Sequence, residues 1–183
     1  SRTVGGGGVF VHFDKISEKS AQVYVETEIQ NDNTRSESVT IETTLTDAEG
    51  NVIKRTSGKL SLNSGEKKSI RQQMEVKNPK LWSPDTPYLY RVQSRIKKGN
   101  RSIDGGTTRI GIRLAEFRGK EGFWLNGKPY GKPLMGANRH QDFAVVGNAV
   151  ANSIHWRDAK KLRDAGMKVI RNAHCPQDPA FMD

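Results

Sequence analysis

Apolar and polar side chains alternate in short runs along roughly the first 113 residues. The clearest run extends from Ala21 to Ile29, where every second residue, including Val23 and Val25, would point to the same side. Similar runs begin near Val9, Val39, Asn51, Ile70, Tyr88 and Thr107. Alternation with a period of two predicts β-strands with one buried face, and turn signals about every 8–12 residues are typical of an immunoglobulin-like β-sandwich. We therefore predict a sandwich over residues 9–116, with the Gly-rich residues 1–8 as a linker.

The pattern changes after Phe117. Asn126-Gly127 is a hairpin turn signal next to Phe123-Trp124-Leu125. A helix is predicted from an N-cap at Ser153 to a stop at Gly166, and its shared face is Trp156, Ala159, Leu162 and Arg163. A strand over Met167–Arg171 and a second helix opened by Asp178-Pro179 follow. This order indicates the start of an α/β repeat, so the fold class is mainly β with an incomplete α/β segment over residues 117–183.

Two polar clusters follow short apolar runs in that segment. Gly136 to Asp142 comes after Pro133-Leu134-Met135, and Arg171 to His174 comes after Met167 to Ile170. If both runs are parallel strands, His140 and His174 lie at the same edge of the sheet, where such sheets bind ligands. A neutral imidazole can donate a hydrogen bond to a sugar hydroxyl. The alternative is two unrelated loop histidines.

The other polar residues of these clusters each allow two interpretations. Asn138 and Asp142 can bind hydroxyl groups, or they can cap their own backbone. Arg139 and Arg171 can clamp a carboxylate, or they can form a structural ion pair. His140 and Asp142 do not make a zinc signature, and we expect neither a metal nor a cofactor. Cys175 could be a nucleophile, but without a visible oxyanion motif packing is favoured.

The aromatic segment from Leu81 to Tyr90 is a second candidate for sugar contact. Its rings could stack on a sugar, or the segment could be a packed corner between strands. Pro84 and Pro87 favour the corner, because they fix the bend directly before a strand.

Composition adds limits. The 183 residues carry a net charge of +10, 34% hydrophobic and 27% charged side chains. The basic residues are dispersed, which favours a solvated Lys-rich surface over a nucleic-acid or acidic-polysaccharide partner. The sequence contains no run of about 18 apolar residues, so no membrane-spanning helix is predicted. The single cysteine excludes an internal disulfide, and the start without Met suggests a piece of a longer protein.

Five motifs together resemble glycoside hydrolase family 2, most closely bacterial β-galactosidases, with β-glucuronidases and β-mannosidases as relatives. Asn78 to Tyr90 resembles the "NPxLWSPExPxLY" stretch of the family's middle sandwich domain, and Gly111-Ile112-Arg113 is similar to the "FGxR" that ends it. Phe123 to Pro129 resembles "FxLNGKP" at the entry to the barrel. Gly136 to Asp142 and Arg171 to Pro176 resemble "GVNRHxD" and "RxSHYP". Ala137 and Cys175 depart from the pattern, where Val and Tyr are usual.

The resemblance implies a bacterial glycosidase with a (β/α)₈ catalytic barrel, of which this chain contains the start. His140 and His174 would then bind the terminal sugar, Arg171 would position the nucleophile, and Asn138, Arg139 and Asp142 would shape the pocket. The substrate would be a β-linked oligosaccharide or glycoside, and the parent protein would be periplasmic or secreted, although the residues themselves leave secretion open.

The family's retaining mechanism uses two glutamates, the first in an Asn-Glu pair. No such pair occurs here, and Glu121 is the only glutamate after residue 117. We therefore expect this piece alone to be inactive. Its barrel segment should be partly ordered, packed on the sandwich or associated with another copy, because two strands cannot close a barrel. The competing hypothesis is a non-catalytic carbohydrate-binding or interaction module.

Overall fold

The computed structural model describes residues 8–172, 174 and 176–182, which form two compact units. The first unit ends at Tyr130 and the second begins at Gly131. The strands of the first unit are β1 (Val9–Asp14), β2 (Ser20–Gln30), β3 (Glu37–Thr46), β4 (Val52–Leu62), β5 (Lys67–Lys77), β6 (Tyr90–Lys98), β7 (Arg101–Ile110), β8 (Ala115–Phe117), β9 (Phe123–Leu125) and β10 (Lys128–Pro129).

The first seven strands form the predicted sandwich. One antiparallel sheet has the order β1-β2-β5, and the other has the order β4-β3-β6-β7. The inward residues predicted for β2 are buried, and Ala21, Val23 and Val25 share one apolar cluster with Leu45 and Val92 from the other sheet. The core therefore lies between the sheets, and the mainly-β fold class is confirmed.

Two strands are longer than the sequence predicts. The run that begins near Asn51 is predicted to end at Thr56, whereas β4 continues to Leu62, and β7 begins at Arg101 rather than near Thr107 and ends at Ile110. Gly105 and Gly106 conceal the first half of β7, because glycine has low strand propensity. At Gly105 a Cβ would lie 2.8 Å from the Ser94 carbonyl oxygen of the neighbouring strand, so close backbone approach requires the glycine there.

The segment from Leu81 to Tyr90 is a packed corner. The Trp82 amide donates to the Ile112 carbonyl at 2.8 Å, and the Tyr90 hydroxyl accepts from the Lys80 amide at 2.7 Å. Leu81 and Tyr88 pack against the core of the sandwich. These contacts hold the segment at the end of the sheets, as the two prolines indicate.

The predicted hairpin at Asn126-Gly127 connects β9 and β10, and both turn residues have positive φ, 54° and 77°. In the Asn126 side chain, Nδ2 donates to the Trp82 carbonyl and Oδ1 accepts from the Leu114 backbone amide, each at 3.1 Å. β8, β9 and β10 form a small sheet with a 3₁₀ turn at Gly119–Glu121. The predicted domain boundary after residue 116 falls inside β8 and stays a prediction.

The second unit consists of β11 (Gly136–Arg139), α1 (Asn152–Asp164), β12 (Val169–Asn172) and α2 (Pro179–Met182). β11 and β12 are parallel, which confirms the strand–helix–strand order. Gly166, with a φ of 83°, follows the end of α1, and the Asp178 carboxylate accepts from the Ala180 amide at the start of α2, as predicted.

Two details of α1 differ from the prediction. Its N-cap is Ala151 rather than Ser153, and no side chain caps the helix. The buried residue of α1 is His155, whereas Trp156 is 66% exposed in this chain. The packed positions are thus Ile154, His155, Asp158, Ala159 and Leu162, a face that includes a polar pair and leaves out the predicted Trp156 ring. No helix in the described part of the chain is long and apolar enough to span a membrane.

Candidate functional site

His140 and His174 lie side by side, as the sequence predicts. They follow β11 and β12, which pair in parallel with Gly136 opposite Val169 and Arg139 opposite Asn172. The centroids of the two imidazole rings are 6.0 Å apart, and the ring planes meet at 73°. Both residues are exposed in this chain.

The strands beneath the histidines have two different faces. Arg139 is buried and contacts α1, so the alternation of side chains puts Asn138 on the opposite face. Arg171 pairs with Asn138 in the register and shares that face. Together with Gly136, Ala137 and Val169, these two residues line a shallow depression. The predicted residues Asn138 and Arg171 are therefore available on one surface.

Gly136 allows the strands to come close together at the base of this depression. A Cβ at this position would lie 2.8 Å from the Val169 carbonyl oxygen, closer than side-chain carbons are found. Only glycine fits without movement of the backbone.

Arg139 is held inside the second unit. Its guanidinium donates to His155 Nδ1 and to Asp158 Oδ2, each at 3.0 Å, and also to Gln177 Oε1. It lies over the Phe181 ring, 4.1 Å from the centroid. Because arginine only donates, His155 Nδ1 must accept and the ring proton is on Nε2. Arg139 thus connects β11 to both helices, and its support of a pocket stays a prediction.

Asp142 is exposed, and no contact among the described residues joins it to either imidazole ring. Its neighbour Gln141 is not among the residues that the sequence predicts for the site. The Gln141 side chain accepts from the Asp178 amide at 2.6 Å and donates to the Asn148 carbonyl at 3.2 Å. A glutamine between His140 and Asp142 has no chemical signature of its own, so only its position in the cluster could have indicated it.

Cys175, the alternative nucleophile, lies outside the described residues. Within residues 8–172, 174 and 176–182, no group of three or more His, Cys, Asp or Glu side chains is arranged to hold a metal ion.

The sandwich and the parallel segment, with polar side chains at its strand ends, match two models of one family in the same order. Residues 8–113 match the model for glycosyl hydrolases family 2, and residues 116–183 match its TIM barrel domain. The chain therefore belongs to family 2 of the glycosyl hydrolases, which confirms the resemblance in its motifs.

The relatives include enzymes with two different names. A β-glucuronidase from Formosa agariphila is 34% identical over 176 residues, which are 96% of this chain and 18% of that protein. The β-galactosidase BoGH2A from Bacteroides ovatus is 33% identical over 180 residues, 98% of this chain and 21% of that protein. The crystal structure of a β-glucuronidase from Bacteroides uniformis superposes with a TM-score of 0.86 at 32% identity, over 97% of this chain and 22% of that one. This chain spans about a fifth of the length of these relatives.

Proposed function

We propose that this chain is part of a β-galactosidase-like glycosidase that removes terminal β-linked sugars from oligosaccharides or glycosides. The pairing of His140 and His174 carries the proposal, because two exposed imidazole rings 6.0 Å apart can each bind a hydroxyl of one sugar ring. They would bind the sugar more strongly in the transition state than in the ground state, which is the condition for catalysis. The glycosidase names of the relatives support this assignment.

The remaining predicted residues have roles that their positions allow. Asn138 and Asp142, both exposed, would bind further sugar hydroxyls. Arg171, on the same face as Asn138, would position the nucleophilic carboxylate through its guanidinium. Arg139 is buried and would support the pocket from behind.

The chemistry we propose is retaining hydrolysis by two glutamates about 5–5.5 Å apart. One would protonate the leaving oxygen and the other would attack the anomeric carbon, and water would then release the sugar with its configuration retained. Glu121, the only glutamate after residue 117, lies in the 3₁₀ turn of the first unit. We therefore expect the 183-residue chain to be inactive and both glutamates to be supplied by further barrel strands of the parent protein.

A direct test is hydrolysis of p-nitrophenyl β-galactoside and β-glucuronide by the full-length parent and its variants. His140→Ala and His174→Ala should each lower kcat/KM about 100-fold, the loss typical of one preorganised transition-state hydrogen bond. Proton NMR of the released sugar should show the β-anomer first.

The matched control is His12→Ala, because His12 lies on the outer face of the sandwich against Phe10 and Tyr24. It should leave kcat/KM unchanged. A full-length protein that cleaves no β-glycoside, or His140 and His174 variants as active as the control, would contradict the proposal.

We also propose that the second unit self-associates when it is expressed without the rest of a barrel. Met135, Val145, Val146, Trp156 and Val169 all expose apolar surface in this chain. Sedimentation of the 183-residue chain should show a concentration-dependent increase in mass, and Trp156→Lys should reduce it. A monomer at all concentrations would contradict this proposal.

A further inference from the structure

We propose that Arg139 and Gln141 are positioning residues that set the separation of His140 and His174. They do so by hydrogen bonds to Gln177 and Asp178, and we call these four residues the latch. The inference rests on the proposed function, since it assigns the latch to the sugar-binding histidines.

The latch residues lie close to both histidines in the sequence. Arg139 and Gln141 immediately flank His140 in the chain, and their partners are two consecutive residues shortly after His174. Arg139 donates to Gln177 Oε1, and Gln141 Oε1 accepts from the Asp178 amide at 2.6 Å. Two parallel connections therefore join the segments that carry the two imidazole rings.

The strand ladder cannot provide this connection by itself. The β11–β12 register ends at Arg139 opposite Asn172, so both histidines lie beyond the last paired residues. Past that point, among the described residues, side-chain hydrogen bonds join the two segments. The latch begins where the ladder ends, which is why its loss would move the rings rather than the strands.

One end of the latch is buried and held by several contacts. Arg139 is only 6% exposed, and its guanidinium is held by His155 and Asp158 of α1 and by the Phe181 ring. Asp158 also neutralises its charge inside the unit. A guanidinium fixed by three groups can serve as a reference point from which Gln177 is positioned.

The consequence for catalysis is geometric. Hydrogen bonds to sugar hydroxyls require about 2.7–3.2 Å between heavy atoms. A misplacement of about 1 Å by a change away from the reacting atoms can lower the rate about 100-fold. The latch residues need not touch the sugar to have this effect.

The test uses Gln177→Leu and Gln177→Glu in the full-length protein, since a variant at buried Arg139 could fail to fold. Leucine removes the acceptor for Arg139, whereas glutamate keeps it. Gln177→Leu should lower kcat/KM about 10- to 100-fold, and Gln177→Glu should stay within about 3-fold of the unchanged protein. Gln141→Leu should resemble Gln177→Leu. Lys160→Gln, which breaks the exposed 2.5 Å ion pair to Asp164 in the same unit, is the control.

A double-mutant cycle separates positioning from simple stabilisation. If the latch acts through His140, Gln177→Leu should cost less than about 3-fold in a His140→Ala background, while its effect on Tm stays the same in both backgrounds. Equal fold losses in both backgrounds would overturn the inference.

Crystal structures of Gln177→Leu and Gln141→Leu provide a readout that does not depend on activity. The separation of the two imidazole rings should increase from 6.0 Å. An unchanged separation overturns the inference. If the full-length protein cleaves no β-glycoside, the proposed function fails on its own, and this separation still decides whether the latch positions the rings.

Discussion

Thr43 and Gln72 form a hydrogen bond in the core of the sandwich, and its loss has a predictable cost. The Thr43 hydroxyl donates to Gln72 Oε1 at 2.6 Å, and Gln72 Nε2 donates to the Ile41 carbonyl at 3.2 Å. Thr43 is completely buried and Gln72 is 6% exposed. Because Thr43 is on β3 and Gln72 on β5, the bond joins the two sheets.

Thr43→Val preserves the shape of the side chain and removes the donor. The Gln72 oxygen would then be buried without its partner, and such a group costs about 1–3 kcal/mol of unfolding free energy. For a domain of about 100 residues, each kcal/mol lowers Tm by about 4–8 °C. The double variant Thr43→Val with Gln72→Leu should recover much of this loss, because it replaces both partners by apolar groups.

Thr27→Val is a matched control in the same core. Thr27 is also completely buried, but its hydroxyl has no hydrogen-bond partner among the described residues. The buried Thr27 hydroxyl has lost its hydration without gaining a hydrogen bond, which already destabilises the folded state. Its replacement by a methyl group should therefore leave the unfolding free energy constant or raise it by about 1 kcal/mol.

The unfolding free energy of both variants can be measured by urea denaturation followed by circular dichroism. Amide exchange on β2 and β3 restricts the measurement to the sandwich. A destabilisation of Thr27→Val as large as that of Thr43→Val would refute the reasoning. It would show that the cost comes from valine packing and not from the lost hydrogen bond.

Three further predictions concern other contacts. Gly111→Ala should destabilise the chain by about 1–3 kcal/mol in thermal unfolding, because the new Cβ would lie 2.6 Å from the Trp82 ring, whereas Gly58→Ala meets only the flexible end of a side chain and should cost less. Asn126→Gly keeps the positive φ of the hairpin turn but loses two hydrogen bonds, so urea denaturation should show a loss of about 1–2 kcal/mol, and no loss would contradict their role. The pKa of Glu42 is lowered from 4.5 mainly by a hydrogen bond from the Lys97 ammonium, 3.1 Å away. The contribution of Glu42 to folding stability is therefore complete above about pH 5 and is lost as pH falls through the lowered folded-state pKa. Glu42→Gln should flatten the acid side of the curve of stability against pH.

The sandwich could be predicted from the sequence because its signal is local. In β2 every second side chain is buried, so the alternation from Ala21 to Ile29 reports its burial directly. The first half of β7 could not be predicted in this way. A Cβ at Gly105 would meet the Ser94 carbonyl of β6, and the alternation within β7 itself does not report this contact with another strand.

The second unit shows the same limit in its helix. The hydrophobic pattern predicts that Trp156 lies on the packed face of α1, but the buried residue is His155. A histidine can replace an apolar residue there because Arg139 donates a hydrogen bond to its Nδ1, and Asp158 neutralises the charge of Arg139. Neither partner can be inferred from the periodicity of the helix alone.

The alternation that identifies strands in the sandwich also explains how the Gly136–Asp142 cluster can both present polar side chains to the surface and make structural contacts inside the unit. Asn138, His140 and Asp142 are exposed, whereas Arg139 is buried and Gln141 is partly buried. The period of two thus continues past the end of β11. It presents one set of side chains to the surface and directs the other set to α1 and to the segment after His174. Because the two sets alternate, each candidate sugar-binding residue has a structural residue as its neighbour, and the cluster can hold its own shape.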